Sequence, residues 1–261
     1  MVDACHATFS PRLWIYTNFD CNLACSYCCA SSSPRAERRS LSLPAFRQLV
    51  DEAVAGYIEE LFLTGGEPFL LPDIGERIRY AAERLRTTVL TNAMLFHGRR
   101  LQTLESLRDL AVRFQVSLDG PNATAHDAIR GTGSWDKAVA GIRQLRASGF
   151  DVSVSTTETT HNRDVLEQTR EFVATLGVPE DQHFVRPLAR RGFSERGIEV
   201  SAATLEPEIT VSRDGVFWHP LACEDDLLVT RKIFPFANAM EETHRLFHQV
   251  IEAGGLPQRF R

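Results

Sequence analysis

CNLACSYCC, residues Cys21 to Cys29, places four thiols within nine residues. They follow a short apolar run, LWIY at Leu13 to Tyr16, that reads as a strand, so the thiols occupy the loop at a strand's end. In a βα architecture the loops after the strands form the reactive face. Cys21, Cys25 and Cys28 have the spacing Cys-x3-Cys-x2-Cys, and Cys29 directly follows Cys28. Four thiolates would close a structural zinc site or an electron-transfer cluster, whereas three on a four-iron cluster leave one iron open. Adjacent side chains rarely converge on one small cluster, which favours three ligands: Cys21, Cys25 and Cys28. Spacing alone leaves zinc binding and plain surface thiols open.

Outward from this loop, short β-branched runs alternate with longer segments of helical periodicity. Strands are expected at Leu13–Tyr16, Leu61–Thr64, Thr88–Thr91, Val112–Leu118, Val152–Thr157 and Phe184–Pro187. Helices are expected near Leu43–Gly56, Ile74–Leu85, Arg99–Leu107, Trp135–Ser148 and Arg163–Leu176. Six such units around a parallel sheet favour a barrel that is left open. After Pro187 the pattern changes. An Arg- and Gly-containing loop, RPLARRGFSERG, precedes a hairpin, EITVSRDGVFW, whose turn is Asp214-Gly215, and a helix from about Asn238 to Ala253 follows. The expectation is therefore α/β: an open partial (β/α)6 TIM-like barrel over residues 1–190 and a small C-terminal α+β appendage over residues 191–261.

With 261 residues and a formal net charge of -5, the chain can bury a large core and carries no global basic field, so neither nucleic acid nor an anionic membrane is an expected partner. No apolar run approaches the ~20 residues that span a bilayer, and MVDACHATFSPR lacks the apolar core of a signal peptide, so a cytoplasmic location is expected. Six cysteines, most of them clustered, read as metal or redox chemistry rather than a disulfide framework.

A second stretch, LFLTGGEPFL, puts Gly65-Gly66-Glu67-Pro68 at the end of the second strand, where glycines permit close approach of backbone to a ligand. A cysteine loop after strand one and this turn after strand two together resemble the radical S-adenosylmethionine (SAM) superfamily. The resemblance extends through Thr91-Asn92, VSLDG at Val116 to Gly120 and HDAIRG at His126 to Gly131, and covers most of the first 190 residues. It implies a single 4Fe-4S cluster on Cys21, Cys25 and Cys28, whose open iron chelates SAM. It also implies that Tyr27 lies beside the adenine and that Gly65, Gly66 and Glu67 receive the methionine ammonium, with backbone carbonyls as the natural acceptors. Strand alternation in RFQVSLDG puts Gln115, Ser117 and Asp119 on one face and Phe114, Val116 and Leu118 on the other, so the polar set faces the barrel. By resemblance Ser117 contacts SAM, Asp119 contacts SAM or substrate and is the catalytic candidate, and Arg130 pairs with the methionine carboxylate. Asn92, and Ser155 with Thr157 near the ribose, complete the expected set.

The resemblance is nearest to the branch of anaerobic sulfatase-maturating enzymes and peptide maturases, many of which add a SPASM or Twitch domain with auxiliary clusters. Here only Cys223 remains beyond Cys29, and His219 falls near a position where a cysteine would be expected, so a shortened appendage without an auxiliary cluster is expected. Cys5 and Cys29 have no assigned role, and His219 with Cys223 is a weak metal pair. Arg186, Arg190, Arg191 and Arg196 gather where strand six meets the appendage; Arg186 and Arg190 are the candidates for binding substrate. A peptide or protein is the leading substrate, with a small metabolite or cofactor precursor as the alternative, and a flavodoxin or ferredoxin is the implied electron donor. An iron-sulfur or zinc protein for electron transfer, sensing or structure is the non-enzyme reading. SAM-dependent methyl transfer is disfavoured, since the cysteines occupy the place of a glycine-rich nucleotide loop.

Overall fold

The computed structural model describes residues 11–260, so Cys5 and the start of the N-terminal stretch lie outside the described residues. Six parallel strands, β1 (Arg12–Asn18), β2 (Glu60–Gly65), β3 (Arg86–Thr91), β4 (Val112–Ser117), β5 (Asp151–Glu158) and β6 (His183–Pro187), lie side by side in chain order. They alternate with helices α1 (Leu43–Ala55), α2 (Ile74–Ala82), α3 (Arg99–Glu105), α4 (Ala123–Arg130), α5 (Ser134–Ala147) and α6 (Leu166–Thr175). Strand alternation sorts the side chains. Leu13, Ile15, Leu61, Leu63, Val89, Phe114, Val116, Val152 and Val154 enter one helix-covered core, in which Phe114 meets Phe150 edge-on with ring centroids 4.9 Å apart. The alternate residues, among them Trp14, Tyr16, Phe62, Gln115, Ser117, Ser153 and Ser155, line the interior of the curved sheet.

Local chemistry sets the helix ends. Ser42 caps α1 by accepting from the Ala45 amide at 3.3 Å, and the helix stops at Gly56. Asn122 does the same for α4, accepting from Ala125 at 3.1 Å; Gly131, at φ 106°, ends it. Arg130 is thus the last residue of a capped helix and is buried, not a solvated loop residue.

The barrel is open: β6 does not pair with β1. On the far side of β1 the sheet continues through β7 (Thr210–Ser212), parallel to β1, then antiparallel β8 (Gly215–Phe217) and β9 (Leu228–Thr230). The expected hairpin about Asp214-Gly215 is therefore built onto the barrel sheet. A second, smaller core gathers Ala189, Val200, Leu205, Trp218, Ala222 and Leu227. The last helix, α7 (Phe236–Glu252), ties both cores together, with Phe236 and Ala239 in the main one and Leu246, Phe247 and Val250 against the second. Among the described residues no helix is long and apolar enough to cross a membrane.

Phe114 is fully enclosed, so Phe114→Ala is expected to lower the unfolding free energy by about 4 kcal/mol in urea titration. A loss under about 1 kcal/mol would show that the aromatic cluster is not the centre of the core.

Candidate active site at the strand ends

Cys21, Cys25 and Cys28 lie beyond the C-terminal end of β1 and line one wall of a cavity of about 760 Å³ that runs along the barrel interior. Each sulfur faces an N–H donor. Cys21 Sγ receives the Leu23 amide at 3.4 Å and Asn92 Nδ2 at 3.8 Å, Cys25 Sγ receives Arg130 Nη1 at 3.8 Å, and Cys28 Sγ receives the Ser32 amide at 3.3 Å. Donors around sulfur stabilise thiolate charge, as they do around cluster ligands. Burial, with Glu67 nearby, pushes the Cys21 thiol up to about 12, so metal rather than solvent would displace its proton. Among the described residues no three His, Cys, Asp or Glu side chains converge on a single metal ion. Three spaced thiols with their own donors fit a cluster. Cys29 turns instead to Tyr16, and burial beside Cys28 pushes its thiol up to about 12. Cys223 meets Ser212. His219 is buried, and its Nδ1 accepts from the Leu221 amide at 3.2 Å.

The glycine turn is stitched to the start of the cysteine loop. The Gly66 amide donates to Asn18 O at 2.9 Å, the Glu67 amide to Asp20 O at 3.0 Å, and Asn18 Nδ2 to Asp20 O and Glu67 O at 2.8 and 3.1 Å. A Cβ on Gly66 would stand 2.0 Å from Asp20 O, and one on Gly65, whose φ is 124°, 2.2 Å from Asn18 O. No other residue fits at either position. Asn18 was not among the residues singled out from sequence, where the first strand was expected to end at Tyr16; the structure extends it to Asn18.

Glu67 does not line the cavity. Its carboxylate accepts from the Phe69 and Asn92 amides at 3.1 and 2.8 Å and from Thr91 Oγ1 at 2.8 Å, which ties the turn to the end of β3. Burial raises it to about 6 against these three donors. The side chain is a bracket, and only the backbone of the turn is free to meet a ligand.

Asp119, expected on the cavity face as the catalytic group, is fully buried beneath the wall. The strand ends at Ser117, so the alternation that turns Gln115 and Ser117 inward does not carry on to Asp119. Its Oδ2 accepts from Tyr27 Oη at 2.7 Å and from Arg130 Nε, and its Oδ1 accepts from the Thr157 amide at 2.8 Å. Arg130 Nη2 also donates to Tyr27 Oη. Burial is opposed by Asp119, which holds the Arg130 guanidinium well above its ordinary value. Asp119 thus orients Tyr27 and Arg130, both of which reach the cavity. Asn162, also missed in the sequence, fixes the chain around Asp119 by donating from Nδ2 to Asp119 O and Thr157 O at 2.8 and 2.9 Å.

Asn92, Ser117, Ser155, Thr157 and Arg186 line the same cavity as the thiols. Arg190 does not. Beyond β6 the chain bridges from Ala189 to Ile198, and Arg190 turns to Glu199. Arg191 likewise pairs with Glu224 and Asp226.

Residues 15–176 match the family model described as the Radical SAM superfamily, and the chain belongs to that superfamily. It is 34% identical over 205 residues to the AdoMet-dependent heme synthase of Methanosarcina barkeri, covering 76% of this chain and 57% of that one. It is 35% identical over 178 residues to the mycofactocin maturase MftC of Mycolicibacterium smegmatis, covering 66% and 44%. The chain thus spans about half the length of these curated relatives. Among solved structures, anSMEcpe with bound AdoMet superposes with a TM-score of 0.70 at 13% identity over 92% of this chain and 82% of that one. SuiB of Streptococcus suis, bound to S-adenosylmethionine, gives 0.63 at 18% over 75% and 45%. These likenesses show the shared open-barrel fold.

His126 Nδ1 accepts from the Asp119 amide at 3.0 Å, and burial beside Arg130 holds its imidazole down at about 4. Between 6.5 and about 4 the unfolded chain binds a proton that the folded chain refuses, so stability present above 6.5 is lost as pH falls. Urea titrations of metal-free protein at several pH values are expected to show a shallower acid loss in His126→Asn than in the wild type, by roughly 1 kcal/mol per pH unit. Parallel curves would contradict a neutral buried imidazole here.

Proposed function

We propose that the chain is the catalytic barrel of a radical SAM enzyme that carries one 4Fe-4S cluster and modifies a peptide or protein. The observation that carries this reading is the meeting, at one end of one cavity, of three donor-supported thiols with the exposed backbone of the Gly65-Gly66 turn. A cluster on Cys21, Cys25 and Cys28 would supply the electron that cleaves the sulfonium carbon-sulfur bond of SAM, yielding methionine and the 5'-deoxyadenosyl radical that takes hydrogen from substrate.

The chain's own residues bind, orient and enclose. Carbonyls of the Gly65-Gly66 turn accept from the methionine ammonium, with Glu67 holding the turn in place. Arg130, oriented by Asp119, offers Nη1 to the methionine carboxylate. Asn92, Ser117 and Ser155 supply polar contacts to the rest of SAM, and the Tyr27 ring, fixed through its hydroxyl, flanks the adenine. Rigid placement of the reacting hydrogen and exclusion of other hydrogen donors are what the protein contributes to such chemistry.

The similarity to proteins named as a mycofactocin maturase and a PqqA peptide cyclase supports a peptide substrate. The 205-residue match to a heme synthase supports the second reading, a small metabolite or cofactor precursor. Reduction calls for an electron donor of the flavodoxin or ferredoxin kind. Cys29 and Cys223, turned to Tyr16 and Ser212, support a single cluster.

Anaerobic reconstitution with iron and sulfide, followed by SAM and a reductant, is expected to give 5'-deoxyadenosine by mass spectrometry. The triple variant Cys21→Ala, Cys25→Ala, Cys28→Ala should give none. Iron analysis should find about four irons per chain; about eight would overturn the single-cluster reading. Well-loaded protein that neither binds nor cleaves SAM would overturn the enzyme reading.

A further inference from the structure

Arg186 reaches into the cavity from the far wall, at the end of β6 where it pairs in register with Thr157. Nη1 donates to Ser155 Oγ at 2.9 Å, and the guanidinium stands over the Phe184 ring, 5.6 Å from its centroid. Among the described residues no carboxylate forms an ion pair with it, in contrast to Arg190 and Arg191 close by. Glu208 lines the same cavity and acts on its charge, and its Oε2 is held by the Trp14 indole N–H at 2.6 Å. A guanidinium has five N–H donors, and one hydrogen bond to a hydroxyl leaves most of them unspent.

A guanidinium without an ion-pair partner in a cavity wall is unfavourable alone, and a ligand with an anionic oxygen group offsets that.

We propose that Arg186, steadied by its hydrogen bond to Ser155, forms a subsite for a carboxylate of the substrate, separate from the Arg130 position assigned to the methionine carboxylate of SAM. The inference rests on the peptide reading above, and deepens it: the peptide brings an acidic side chain or its own C-terminal carboxylate to the β5-β6 wall. Planar guanidinium recognises carboxylate through paired N–H donors, which an ammonium in the same place does not reproduce.

The test is binding, measured by anaerobic calorimetry on cluster-loaded protein with SAM and no reductant. Three probes separate the sources: acetyl-Gly-Glu-Gly-amide carries a side-chain carboxylate, acetyl-Gly-Gln-Gly a terminal one, and acetyl-Gly-Gln-Gly-amide neither. In the wild type at least one charged probe is expected to bind about tenfold or more tighter than the neutral probe. In Arg186→Gln that preference should vanish and in Arg186→Lys it should be partly kept, with iron content and circular dichroism unchanged in both. Equal behaviour of all three probes, including no binding, overturns the subsite, as does a preference that survives Arg186→Gln. Because no reductant is present, a protein unable to form 5'-deoxyadenosine would still report on the subsite, so the two readings fail separately.

Discussion

The structure depends on the stitch between the last residues of β1 and the glycine turn after β2. Backbone meets backbone there, with no side chain between Gly65-Gly66 and Asn18 to Asp20, and the Asn18 amide closes the gap from the other side. This contact sets where the cysteine loop begins relative to the exposed carbonyls of the turn. Every other group in the cavity is placed relative to that pair of strand ends.

Two buried carboxylates extend the constraint sideways. Glu67 carries it to β3 through Thr91 and Asn92, and Asp119 carries it from β4 to β5, to α4 and to the cysteine loop through Thr157, Arg130 and Tyr27. A buried carboxylate is tolerated only when its oxygens are satisfied. Both are, by protein alone, and both hold neighbouring groups in place. Among the described residues the carboxylates that do line the cavity, Glu60 and Glu208, are themselves held by Arg12 and by the Trp14 indole.

Much of this was legible in the sequence because strand periodicity and turn chemistry are local. The six parallel strands, the inward row at Gln115 and Ser117, and the cysteine loop at a strand end follow from side-chain alternation and spacing. Asp119 was misread because alternation continues on paper past the residue where the strand stops, and nothing local marks that stop. Arg190 was misread for a related reason: beyond β6 the chain bridges from Ala189 to Ile198 across a loop. The eight-residue α4 is too short for periodicity to reveal. The joining of β7 to β1 is a contact between distant parts of the chain and leaves no local trace.

That last pairing has a bearing on the order in which the molecule is assembled. The outer edge of β1 has no partner until Thr210 to Ser212 has been synthesised, and Gly192, which packs on the Cys28 and Cys29 carbonyls, is likewise made late. Synthesis runs from the N-terminus, and pairing across such a separation waits on the closure of a very long loop. The ribosome therefore delivers the thiols, and the β2 turn that brackets them, well before the segment that covers them from behind. During that interval the nascent barrel presents its cysteines on an unfinished wall, accessible from a direction that the completed fold closes.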